Sequence, residues 1–196
     1  MVGVRINGED APFRTDGLSK IADIIELIKA NIDPEHIITS VLLDGRDFSD
    51  DDWTANTSKY ETAIIEVETG TPDDFVAQRM AQASEIVQSC YMQFREARKA
   101  FQDGDMNSGN QRLVAAVGTT KAFFEWYSSI MQLVKPDKQA FYDISPQVTD
   151  ITNICKNICQ QQLYQSWWAL GETLEKELEP KLDGLEDHLR KFKKVV

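Results

Sequence analysis

Leu42-Leu43-Asp44-Gly45-Arg46-Asp47-Phe48, an Asp-rich loop, and then Glu61-Thr62-Ala63-Ile64-Ile65-Glu66-Val67 decide how the first third of this chain folds. The apolar run Val41-Leu42-Leu43 enters a tight Asp44-Gly45 turn, and Ala63, Ile65 and Val67 alternate as a closing strand beyond a polar stretch around Trp53. Working outward toward the N-terminus, Ile21, Ile25, Ile28 and Ile32 recur at helical spacing between Asp23, Glu26 and Lys29, with Ser19 placed to cap. That helix closes at Asp33-Pro34, because proline restrains the residue before it and cannot donate into a helical ladder. Earlier still, Val2, Val4 and Ile6 alternate with small or polar neighbours. Asn7-Gly8-Glu9-Asp10 supplies a turn, and Ala11 to Arg14 resumes an extended stretch, so a β-hairpin is predicted. The order is β, β, α, β, β.

These strands and the Asp44-Gly45 turn resemble the third strand, turn and last strand of ubiquitin, and residues 1–70 are identified as a ubiquitin-like β-grasp module. The resemblance implies an apolar recruiting patch on the sheet, at the positions of Leu42, Ile64 and Glu66. Glu66 stands where the family has an aliphatic residue, a departure that bears on recognition by ubiquitin-binding helices. A conjugated ubiquitin ends at a free glycine carboxylate, whereas Gly70 runs on into helical sequence.

Charge is uneven along the chain. Residues 1–70 hold 6 Lys plus Arg against 15 Asp plus Glu, whereas residues 71–196 hold 15 against 17, within a net charge of −11. Nucleic-acid binding draws on basic residues that neutralise phosphates, so this balance argues against it. No run of 18 apolar residues occurs and the first residues carry no basic segment with a hydrophobic stretch. No membrane association is expected, and the location expected is cytoplasmic. Cys90, Cys155 and Cys159 form no C-x-x-C pair, so buried thiols are expected rather than disulfides, and no metal or cofactor is expected.

Beyond the breaker-rich joint Thr69-Gly70-Thr71-Pro72, residues 73–196 read as a bundle of three or four helices. Ala83, Val87, Cys90, Phe94, Ala97 and Phe101 make a lengthwise seam that ends at Asp103-Gly104. A second helix carries Leu113, Val117, Thr120, Phe124, Tyr127, Met131 and Val134 on one stripe and Ala116, Phe123, Trp126, Ile130 and Leu133 on the next. An arc this wide is either central in the bundle or offers a groove on one side. Pro136 and the stretch from Phe141 to Ser145 read as a connection, and Ser145-Pro146 as the start of a long third helix whose stripe rotates after Gln160-Gln161-Gln162. Pro180 kinks or ends that helix, and Leu182, Leu185, Leu189 and Phe192 form a short fourth segment. The run Ala97-Arg98-Lys99-Ala100-Phe101-Gln102-Asp103-Gly104-Asp105-Met106-Asn107 is similar to flagellar export chaperones, which implies a bundle that holds a partner's helices.

No phosphate-cradling glycine loop, serine elbow or Cys-His motif is present, so no catalysis is expected. The fold class expected is α+β, a β-grasp module followed by an antiparallel all-α bundle. The function expected is that of an adaptor or chaperone that binds a protein partner. The candidate contacts are Leu42, Ile64, Glu66, Phe123, Trp126, Trp167 and Trp168, the tryptophans because they are over-represented at binding hot spots. One alternative is phosphorelay through His188, since His188-Leu189-Arg190-Lys191 resembles histidine phosphotransfer domains, with Phe192 where their glycine stands. The other is self-assembly as a homodimer.

Overall fold

The computed structural model describes residues 2–60 and 62–194, so Glu61 of the closing-strand motif and the last two residues of the bundle lie outside the described residues. The fold is α+β: a five-stranded mixed sheet with one main helix, followed by helices. The chain divides into two compact units, Met1–Phe75 and Val76–Val196.

In the first unit the strands are β1 (Gly3–Ile6), β2 (Glu9–Asp10), β3 (Ile37–Leu43), β4 (Arg46–Asp47) and β5 (Ile64–Gly70), in the sheet order β2-β1-β5-β3-β4. The central strand β5 pairs in parallel with β1, and the other pairs are antiparallel, the β-grasp arrangement. Helix α1 (Ile21–Asn31) buries Ile21, Ile24, Ile25 and Ile28 in a core with Val4, Leu43, Ile65 and Val67 of the sheet and Val2 just before it. The hairpin differs from expectation. Its turn is Asn7-Gly8 alone, both residues at positive φ, and β2 has only two residues because Pro12 has no N–H to extend the ladder. The polar stretch around Trp53 is also ordered, as a short helix α2 (Asp50–Thr54) capped by Ser49, whose N–H and Oγ both donate to Asp52.

The second unit is a ring of four helical rods. Helix α3 (Pro72–Gln102) buries Met80, Ala83, Val87, Cys90, Phe94, Ala97 and Phe101, a three-four heptad seam. It stops at Gly104, φ 81°, and Asp105 caps α4 (Met106–Met131) by accepting from Ser108 N–H at 3.0 Å. Hydrogen bonds join Gln93 to Thr119 and Glu96 to Arg112, so α3 and α4 run antiparallel. Gln162 donates to Asn110, setting α6 (Ser145–Leu163) antiparallel to α4. Gln161 donates to Thr173 and Lys181 pairs with Asp150, setting the last rod antiparallel to α6. Arg98 clasps Glu179, and Lys193 pairs with Glu85, which closes the ring back onto α3.

Two expectations for this unit are corrected. The connection after Val134 contains a helix, α5 (Pro136–Tyr142), tied down where Tyr127 Oη donates to the Tyr142 carbonyl at 2.7 Å. The long third helix is really two rods. It ends at Leu163 and the chain reverses at Gln165, φ 54°, so Leu163 and Trp167 fall out of step because they belong to different helices. The last rod is continuous: α7 (Trp167–Thr173) passes through a π-turn, Leu174–Leu178, into α8 (Glu179–Leu189). Pro180 therefore neither ends the rod nor starts a separate one, and the wider turn just before it relieves the ring's collision with the preceding turn.

Candidate functional site

An apolar concavity of the bundle lies between α4 and α6. The core seam of α4 is Gly109, Leu113, Ala116, Thr120, Phe123, Tyr127 and Ile130, which draws on both expected stripes and leaves Val117 and Phe124 half-buried on the flank toward α6. On α6 only Ile151 and Ile158 are fully buried, and Thr152, Cys155 and Cys159 turn toward that same flank. Between the two walls runs an apolar groove of about 420 Å³. Its only charged lining groups are Lys121 on α4 and Lys156 on α6, both exposed.

Burial pushes the Cys155 thiol up to about 11, and neighbouring Cys159 adds to the shift. Cys155 is thus an inert thiol at neutral pH, part of the groove's apolar floor, while Cys159 is exposed. Among the described residues no group of three or more His, Cys, Asp or Glu side chains could hold a metal ion.

Phe123 is 3 % exposed and sits in the core within an aromatic cluster with Phe124, Trp126 and Tyr127, so it offers no surface to a partner. Trp126 is half-buried. The neighbouring tryptophans part company, as two side chains about 100° apart on a helix must where the buried arc is narrow. Trp167 stacks on Phe101 with ring centroids 5.6 Å apart, and Trp168 is 80 % exposed. Leu163 and Tyr164, both 76 % exposed, stand beside it at the α6–α7 reversal.

On the sheet, Leu42, Ile64 and Glu66 lie on the face opposite the core, since Leu43, Ile65 and Val67 point inward. Leu42 is directly opposite Glu66, and Glu66 is opposite Arg5, whose guanidinium lies 3.9 Å from it and 3.3 Å from Asp10. The row across the sheet is therefore charged where the ubiquitin resemblance implies an aliphatic patch. Nearby, the Asp52 carboxylate is held well below the usual carboxylate range by the Arg46 guanidinium, with further hydrogen bonds from Tyr60 Oη and Ser49. His188 is half-buried, and its Nε2 is shielded from solvent with no hydrogen-bond partner, the ring standing edge-on to Phe192 at 5.5 Å.

No protein-family model matches the chain, and no curated protein or solved structure matches it either. The groove is therefore read from its own geometry. The sequence places Val117 and Phe124 on the wide arc of the second bundle helix and Cys155 and Cys159 four residues apart on the third, without joining them. Nothing local in the sequence states that α4 and α6 are neighbours.

Proposed function

We propose that this chain is a non-catalytic interaction protein, an adaptor or chaperone, whose bundle receives a helix of a protein partner in the groove between α4 and α6. The observation that supports this reading most is the groove itself: an apolar channel between two long helices, of the kind that amphipathic helices fill. A helix satisfies its own backbone donors and acceptors. The groove walls have none free to offer an extended segment, so a helix is the occupant the walls accept. The resemblance of Ala97–Asn107 to export chaperones agrees with such a client. The β-grasp module, with Leu42, Ile64 and Glu66 on its outer face, is the second contact surface, and its Glu66–Arg5 row favours a polar partner over an apolar one.

The test uses the whole chain and its exposed Cys159. A partner seated in the groove slows alkylation of Cys159, and Phe124→Glu abolishes both partner retention and that protection while the circular dichroism spectrum stays unchanged. A partner held equally well by the folded Phe124→Glu chain would place the site elsewhere.

One observation favours a second reading, self-association. Leu163, Tyr164 and Trp168 are large exposed side chains close in sequence at the α6–α7 reversal, and exposed apolar patches mark contact sites. Sedimentation across a concentration series, repeated with Trp168→Ser, decides it: a strict monomer at every concentration removes this reading.

A further inference from the structure

The groove also carries information about the chemistry of its occupant. On α4 the residues facing it include Val117, Lys121 and Phe124, in steps of four and three. On α6 they include Thr152, Cys155 and Cys159, in steps of three and four. These are second seams, offset from the positions that each helix gives to the bundle core, namely Leu113, Ala116 and Phe123 on one and Ile151 and Ile158 on the other, with buried Thr120 shared between core and groove. Two parallel seams at that spacing form the holes into which the knobs of a further helix fit.

The charge on the lips is as specific as the spacing. The chain carries a net charge of −11, yet this groove has a lysine on each wall and no carboxylate in its lining. Lys156 makes no ion pair among the described residues, and Lys121 has only an exposed contact with Glu125 at 3.6 Å, one helical turn along α4. Exposed pairs of that kind are weak, so both ammonium groups are available to a partner.

We propose that the occupant is an acidic amphipathic helix of a partner protein: an apolar stripe seated between α4 and α6, with Asp or Glu on both flanks to meet Lys121 and Lys156. This rests on the reading of the groove as the binding site. In a coiled coil the charges beside the seam choose the partner, and here both lips choose against a basic helix.

The test uses two fluorescent helical peptides of about 21 residues, three heptads with leucine at the two seam positions. One carries glutamate and the other lysine at the flanking positions, and anisotropy is read against the full chain. The acidic peptide is expected to bind about tenfold or more tighter, and Lys121→Glu with Lys156→Glu to reverse the order while circular dichroism shows the fold intact. Equal binding of the two peptides, or a preference for the basic one, overturns the acidic assignment, while the groove reading stands if Phe124→Glu still abolishes binding. Binding that ignores Phe124→Glu, or no binding by either peptide, overturns the groove as well.

Discussion

Two glycines on α4 show how much a single hydrogen-sized side chain decides. A Cβ at Gly109 would lie 2.7 Å from the Phe101 ring, which is itself pinned between the helices and stacked on Trp167, whereas a Cβ at Gly118 would meet nothing within 4 Å. Overpacking costs about 1–3 kcal/mol and alanine in a helix returns about 1 kcal/mol over glycine. Gly109→Ala should therefore lower stability by about 1 kcal/mol, and Gly118→Ala should raise it by about 0.5–1 kcal/mol. Thermal melts of the two variants should move in opposite directions, and equal shifts would mean that the α3–α4 contact is looser than described. Asp52 makes a prediction in pH. Its carboxyl is depressed in the folded chain by Arg46, Tyr60 and Ser49, so its stabilising contribution is complete above the ordinary carboxylate value near 4 and is lost as pH falls through the lower folded value. Asp52→Asn should melt earlier than the parent at pH 7, and the gap should close as the solution is acidified below about 4. A gap that stays constant down to about pH 2 would show that the loss is one of shape, not of charge.

At the scale of elements, the last rod holds an inserted residue. Leu170, Leu174, Leu178 and Leu182 are all fully buried at steps of four, a spacing that drifts by about 40° per step around a regular helix of 3.6 residues per turn. The π-turn absorbs that drift: Glu179 N–H reaches back five residues to the Leu174 carbonyl, and the leucines stay on one face. Removing exposed Glu177 turns the spacing of the buried positions into alternating fours and threes, a regular heptad. With Pro180→Ala, which restores the missing donor, that deletion should therefore leave stability unchanged or raised by up to about 3 kcal/mol. Deleting Asp183 instead rotates Leu185, Leu189 and Phe192 out of the core and should unfold the bundle, losing about 1.5–3 kcal/mol for each side chain exposed. Urea melts of the two deletions compare them directly, and equal losses would refute the inserted-residue account. The same rod shows where the sequence was legible. The α3 seam and the Gly104 stop could be read because spacing and punctuation agreed. The reversal at Gln165 could not, because a glutamine takes the left-handed conformation that glycine or asparagine usually announces. With that reversal unseen, α6 and α7 read as one helix, and the second seam of α6 had no neighbour with which to form a groove.

For the whole molecule, the sign of the net charge and the sign of the groove oppose each other, and the opposition is measurable. An acidic helix approaching a chain of net charge −11 is repelled at long range, and only on contact does it meet Lys121 and Lys156. The range of each effect is set by the Debye length, about 30 Å at 0.01 M salt and about 8 Å at 0.15 M. Raising salt over that interval screens the diffuse repulsion first, since it acts across distances longer than the ion pairs at the lips. Association of the glutamate-flanked peptide should therefore become faster with salt, the reverse of electrostatic steering, while dissociation also becomes faster as the lysine contacts weaken. Stopped-flow anisotropy from about 10 to about 150 mM salt separates the two rates. Lys121→Glu with Lys156→Glu should steepen the rise of the association rate, because the local attraction that partly offsets the repulsion is gone. An association rate that falls with salt in the parent chain would show instead that the field of the groove dominates the approach.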